Sequence, residues 1–212
     1  MSKIEVDQID PQSGTTLTLG TSGDTVVVPS GVQLAPGGGL TLTGNFVVDG
    51  GTVKLDGNYP TGTANVALGD NALGSGSLSG GNNVAVGRQA LCSNTSATCN
   101  TSIGDRTLCT NTTGANNTAV GSFALCVNTT GAGNTAVGKD SLISNTSGMI
   151  NTAIGLCSLN ANTTGSCNVA VGRGALIANT TASNNTSIGT CSLLSNTTGG
   201  NNTAVGTCSL NA

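Results

Sequence analysis

The residues of this 212-residue chain best suited to chemistry are its eight cysteines, because a thiolate can act as a nucleophile, a metal ligand or half of a disulfide. The chain has no histidine and no Cys-x-x-Cys pair, so the sequence argues against a zinc site. We interpret the cysteines as interchangeable small residues of a repeated structure, and we expect cytosolic assembly to leave them reduced. Thiols stacked about 4.8 Å apart could still oxidise. They fall into three sets by position: Cys92, Cys109 and Cys126; Cys157, Cys191 and Cys208; and Cys99 and Cys167.

The acidic residues do not form a catalytic pattern. Asp70, Asp105 and Asp140 each follow a recurring glycine, and we interpret them as solvated turn residues. General acid–base catalysis requires a paired titratable group, and a cysteine without a histidine partner is a weak nucleophile candidate. The sequence therefore predicts that the chain is not an enzyme, with no catalytic residue, no cofactor and no metal ion.

The element that positions these residues is a 17-residue repeat. Its core is the pentapeptide Asn-(Thr/Val)-(Ala/Ser)-(Val/Ile/Leu)-Gly, with a leucine four residues after the glycine. A fixed period that keeps apolar, glycine and asparagine positions in phase indicates stacked coils. We therefore predict an all-β fold, a parallel β-solenoid (β-roll) of nine coils over residues 62–212. The pentapeptides begin at Asn65, Asn83, Asn100, Asn117, Asn134, Asn151, Asn168, Asn185 and Asn202, so the first step is 18 residues and every later step is 17.

The coil that begins at Asn117 shows how we expect each repeat to fold. Residues 117–120 predict one strand, Gly121 a tight turn with positive φ, and residues 123–126 a second strand. The asparagine at 128 suits a second corner, and stacked asparagines can bond one another along the axis. We expect Val or Ile to fill the interior with Leu, and the alanines to form an outer stripe. Such a stripe favours packing against other copies, and three copies around an axis fit best.

The N-terminal part, residues 1–61, differs from the repeats. Brief alternating runs such as 15–19 and 40–43 are separated by Gly, Pro or Asp-Gly, which predicts short strands. Strands this short are marginal alone, so we expect equivalent strands of other copies to close around a common axis. We predict an N-terminal attachment and trimeric β shaft segment over residues 1–61, ending near residues 60–63.

Charge and hydropathy exclude two classes of partner. The net charge is −3 and the six basic residues are scattered, which argues against nucleic-acid binding. No stretch approaches the roughly 20 apolar residues that span a bilayer, so membrane insertion is not expected. The N-terminus lacks the apolar segment of a signal peptide, which predicts synthesis in a cytosol.

The repeats carry a resemblance to a known family. The segment from residue 117 to 131, Asn-Thr-Ala-Val-Gly-Ser-Phe-Ala-Leu-Cys-Val-Asn-Thr-Thr-Gly, resembles the repeats of phage tail-fibre proteins. It is more distantly similar to the shorter head repeats of trimeric autotransporter adhesins. The opening at residues 4–20 resembles the N-termini of fibre proteins from marine phages. The resemblance implies a homotrimer assembled in the host cytoplasm, docked by its N-terminus on a virion tail or adaptor protein. The distal end of such a fibre meets a host cell-surface receptor.

Two alternatives to a virion fibre remain open. A trimeric bacterial adhesin head would require an export signal or a membrane anchor in the complete gene. An ice-binding solenoid is the other, because regular threonine ladders on a flat β-face can order water. The threonine pairs that suggest it are 112–113, 129–130, 163–164 and 197–198.

Overall fold

The computed structural model describes residues 64–75 and 78–211. The predicted N-terminal segment, residues 1–61, lies outside them. In the described part, nine three-residue strands stack in chain order as one parallel sheet. Each strand pairs in register with its equivalent in the next coil, as Thr118 does with Thr135. The predicted parallel β-solenoid with 17-residue coils is therefore confirmed. The strands are β1 (Val66–Leu68), β2 (Val84–Val86), β3 (Thr101–Ile103), β4 (Thr118–Val120), β5 (Thr135–Val137), β6 (Thr152–Ile154), β7 (Val169–Val171), β8 (Thr186–Ile188) and β9 (Thr203–Val205).

Each coil contains one strand, so the predicted second strand at residues 123–126 was wrong. Phe123 and Leu125 have φ values of 60° and 50°, in the left-handed region. The N–H groups of Ala124 and Cys126 bond back three residues, to the carbonyls of Gly121 and Phe123. A left-handed residue interrupts an extended strand, and the segment instead forms successive tight turns. The buried leucine offsets its own backbone strain, because its side chain fills the core and its N–H bonds to the next coil.

The prediction of which strand residues face inward was also wrong. The alanines and serines at the middle of β2 to β9 are buried, whereas the valines and isoleucines after them are partly or largely exposed. Alternate residues of a strand point to opposite sides, so Asn117 and Ala119 share the inner side while Thr118 and Val120 share the outer one. A 17-residue coil already holds a leucine and two asparagines inside, and small residues fit what remains.

Two columns of asparagine organise the interior. In one coil, the Nδ2 groups of Asn117 and Asn128 both donate to the carbonyl oxygen of Gly131, each at 2.9 Å. Both asparagines are fully buried. Each column also bonds along the axis, as predicted, since Asn134 donates its Nδ2 and its backbone N–H to Oδ1 of Asn117. The shared acceptors are the carbonyls of Ala97, Gly114, Gly131, Gly148, Gly165, Ala182 and Gly199.

The glycine after each strand yields a matched test of coil stacking. Gly121 has a φ of +124°, and a Cβ placed on it would lie 2.7 Å from the carbonyl carbon of Gly138 in the next coil. Gly206 has a similar φ of +121°, but nothing lies within 4 Å of its Cβ position. We expect Gly206→Ala to cost only backbone strain, about 1–3 kcal/mol at most. Gly121→Ala adds a backbone clash and should lower the urea midpoint, followed by circular dichroism, much further. Equal decreases in the urea midpoints of the two variants would show that coil stacking does not require glycine at this position.

The asparagine columns predict a large effect for one buried amide. In Asn117→Ala the backbone N–H of Asn134 loses its acceptor and the Gly131 carbonyl loses one of two donors. The unsatisfied N–H costs about 1–3 kcal/mol and the lost hydrogen bond to Gly131 about 0.5–1.5 kcal/mol, so we expect a loss of about 2–4 kcal/mol in unfolding free energy. The exposed Thr130→Ala in the same coil is the control, with an expected change within about 0.5 kcal/mol. A loss for Asn117→Ala no larger than this control would contradict the role of the column.

Candidate interaction surface

The outward side of the sheet is a regular surface that runs along all nine strands of the described coils. We call it the outer sheet face and define it as the first and third residues of β1 to β9. Its first column is Val66, Val84, Thr101, Thr118, Thr135, Thr152, Val169, Thr186 and Thr203. Its second column is Leu68, Val86, Ile103, Val120, Val137, Ile154, Val171, Ile188 and Val205. Because each strand pairs in register with the next, each column runs straight along the axis.

The outer sheet face carries no charge, and its second column is entirely apolar. Large hydrophobic side chains stand in solvent along it, with Ile154 40% and Ile188 41% exposed. The hydroxyls of its threonines make no hydrogen bond to any described residue. Removing the apolar side chains of this face from water is favourable in free energy, and contiguous exposed apolar surface commonly marks a binding site.

A different threonine column occupies a corner of the coil. Thr112 donates its hydroxyl to the carbonyl of Thr129, and Thr129 donates to Thr146, one coil further along each time. These residues lie in bends outside the strands. The threonine pairs that suggested a flat ice-binding face are therefore at a corner, where the first hydroxyl of the stacked pairs 112–113, 129–130 and 163–164 already has a partner.

Every charged residue of the described part lies at one corner, one or two residues after the strand-ending glycine. Arg88 contacts Asp105 of the next coil at 2.9 Å, and Lys139 contacts Asp140 at 2.8 Å. The hydrogen bond from the ammonium to Asp140 raises the pKa of the exposed Lys139. Asp70, Asp105 and Asp140 therefore lie in turns, as predicted, and two of them form ion pairs. This corner contains Asp70, Arg88, Asp105, Arg106, Lys139, Asp140 and Arg173.

The cysteines follow the repeat as predicted, and all eight are unpaired. A groove of about 220 Å³ runs past Cys157 and Cys191, with Leu156 and Arg173 also at its wall. It offers thiols and one cation but no carboxylate or imidazole, so it lacks an acid–base pair. In contrast, Cys92 and Cys109 bring their sulfur atoms within 3.0 Å of each other. Sequence reasoning placed these thiols one coil apart but could not give their side-chain directions.

Residues 64–75 and 78–211 contain no group of three or more His, Cys, Asp or Glu side chains arranged to hold a metal ion. The same part of the chain has no helix of the length and hydropathy needed to cross a membrane.

The outer sheet face, the charged corner and the half-buried cysteines are thus the candidate interaction surfaces of the described coils. Comparison of the chain with family models, with curated proteins and with solved structures finds no match.

Proposed function

We propose that this chain is the shaft of a homotrimeric structural fibre of a phage virion, in which copies pack through their outer sheet faces. The observation that carries the proposal is the face itself, with eighteen uncharged positions in two straight columns along nine strands. A monomer would leave its valines and isoleucines in water, whereas a second and a third copy around an axis would bury them.

The outer sheet face is large enough to contribute to assembly but too small to form the whole interface. Nine strands about 4.8 Å apart and three residues wide cover about 400 Å². That is comparable with the largest apolar patch of a typical monomer, which is often functional. It is about half of one partner's share of a standard interface. We therefore expect residues beside the face, and the N-terminal segment 1–61, to contribute to assembly.

The resemblance of the repeats and of residues 4–20 to phage tail-fibre proteins favours three copies and a place on the virion. In this proposal the N-terminal segment docks on the tail or an adaptor protein. The solenoid, about 40 Å long at strand spacing, extends the fibre toward the host surface. A shaft needs rigidity and length rather than a catalytic group, and the bonded asparagine columns supply rigidity.

A matched pair of lysine substitutions in one coil tests the proposal. Val137 is 37% exposed on the outer sheet face, and Ser147 is exposed at a corner away from it. We expect wild type and Ser147→Lys to have three times the chain mass of 20.4 kDa by light scattering. Val137→Lys should keep its circular dichroism spectrum but dissociate to a monomer at chain concentrations at which Ser147→Lys stays trimeric, because an unpaired ammonium is costly to bury at an interface.

A monomeric wild-type chain at high concentration would contradict the trimeric shaft. A Val137→Lys trimer that dissociates at the same chain concentration as the Ser147→Lys trimer would instead show that the copies pack through another surface. Either result leaves the fold of the coil unaffected.

An ice-binding solenoid is the second candidate, because the threonines of the outer sheet face are regularly spaced with hydroxyls that bond no described residue. This function requires a monomer with the face exposed. We expect no thermal hysteresis from the fibre protein. Hysteresis that is present in a monomeric wild type, kept by Ser147→Lys and lost in Val137→Lys would favour ice binding over assembly.

A further inference from the structure

Three cysteines occupy the same place in three consecutive coils, one residue after the buried leucine. Cys92, Cys109 and Cys126 form this column, and its next position is taken by Ile143. The Sγ atoms of Cys92 and Cys109 are 3.0 Å apart, and the Cys92 thiol also donates to the carbonyl of Cys109 at 3.2 Å. All three side chains are half-buried rather than enclosed in the core.

The stack gives Cys92 and Cys109 the geometry that a disulfide requires. Equivalent residues of adjacent coils are separated by about 4.8 Å, within the range of about 4.4–6.8 Å between the Cα atoms of bridged cysteines. Their sulfurs are already in contact, so the final approach to a bond length of about 2.05 Å needs only small side-chain rotations. The thiol contact of Cys109 is with Cys92, on the side away from Cys126.

We infer that Cys92 and Cys109 are an oxidation site, at which a low-molecular-weight disulfide such as oxidised glutathione closes a covalent link between two consecutive coils. The link joins the coil that begins at Asn83 to the one that begins at Asn100. Cys126 is left without a cysteine partner, because Cys109 is then linked to Cys92 and the neighbour of Cys126 in the following coil is Ile143. This inference depends on the coil geometry alone and not on the proposed fibre function.

The reaction is two thiol–disulfide exchanges. The Cys92 thiolate attacks one sulfur of oxidised glutathione, whose S–S bond breaks and releases one glutathione thiolate. The Cys109 thiolate then attacks Sγ of Cys92 and displaces the second glutathione. Two protein thiols are oxidised by two electrons, the reagent is reduced to two thiols, and the protons of the protein thiols pass to the leaving thiolates.

The environment of Cys109 makes the second exchange depend strongly on pH. Burial, followed by the hydrogen bond with Cys92, raises the pKa of Cys109 to about 12. The thiolate is the attacking form, so the rate of linking should rise between about pH 7 and about pH 9. Glutathionylation of Cys92 removes its hydrogen bond and its charge, two of the causes that raise the pKa of Cys109, while burial, the largest cause, remains.

Peptide mapping tests the inference directly. The folded chain is incubated with oxidised glutathione, the remaining thiols are blocked with iodoacetamide, and the protein is unfolded and cut with trypsin. Cleavage after Arg88, Arg106 and Lys139 puts Cys92 and Cys109 on separate peptides, 89–106 and 107–139. We expect these two peptides to be joined, whereas a Cys109–Cys126 link would stay within the second peptide. The exposed Cys208 reports by its glutathionylation that the oxidant was active.

Serine variants identify the linked thiols. Cys99→Ser and Cys126→Ser should keep the joined peptides, and Cys92→Ser should lose them. Other coils carry Asn160 or Ile177 at this place, so the position tolerates varied side chains, and circular dichroism checks that each variant folds. Loss of the link in Cys126→Ser would overturn the pairing. Carbamidomethylated Cys92 and Cys109 beside a glutathionylated Cys208 would overturn the oxidation site.

Stability supplies a second readout. A closed loop restricts the unfolded chain, so oxidised wild type and oxidised Cys126→Ser should unfold at a higher urea midpoint than their reduced forms. Oxidation should leave the midpoint of Cys92→Ser unchanged. A midpoint of wild type that does not move on linking would show that the bond strains the coils as much as it restricts the unfolded chain, against the inferred fit.

Discussion

The convergence of two buried asparagine amides on one carbonyl is the interaction on which each coil depends. A coil of 17 residues with a three-residue strand has most of its backbone in turns, where many polar groups would have no partner in a thin core. Asn117, immediately before the strand, and Asn128, three residues before Gly131, both donate to the Gly131 carbonyl and so tie the corner to the rest of the coil. The same side chains bond their equivalents in adjacent coils, so corner closure and coil stacking use one set of groups. A buried network of this kind stabilises when every member is satisfied, which explains its repetition without change of residue type.

Backbone geometry follows from this closure. The chain reverses direction within a few residues, and it does so with left-handed residues such as Leu125 and with the glycine column that includes Gly121. The glycine has two reasons to be there, its φ and the close backbone of the next coil. For the leucine, by contrast, backbone geometry and packing conflict. A left-handed φ is unfavourable for its backbone, but its large side chain is needed to fill the core. The rigidity of the stack and the constant 17-residue step of the later coils are therefore consequences of the same crowding.

The division between inside and outside determines what the solenoid can offer to other molecules. Small residues are buried, so the β-branched ones are displaced to the outer sheet face, and the charged residues are confined to one corner. The proposed assembly and the ice-binding alternative both depend on this face. The thiol column depends instead on the stack, because it is the coil spacing that brings the sulfurs of Cys92 and Cys109 to 3.0 Å.

The sequence by itself determined the period, the parallel stack, the corner at Gly121 and the asparagine columns, because each is a residue type repeated in phase every 17 residues. It also determined that Ala119 and Val120 face opposite sides, since alternation along a strand is local. Only the tertiary structure decided which of the two faces inward, because that depends on the volume left beside the leucine and the two asparagines once the coil closes. Residues two apart on a strand face the same side, so recognising that Asn117 is buried would have shown that Ala119 faces inward as well. The turns at residues 123–126 and the contact of the two thiols were likewise decided by closure, since left-handed leucines and side-chain directions leave no mark on the repeat pattern.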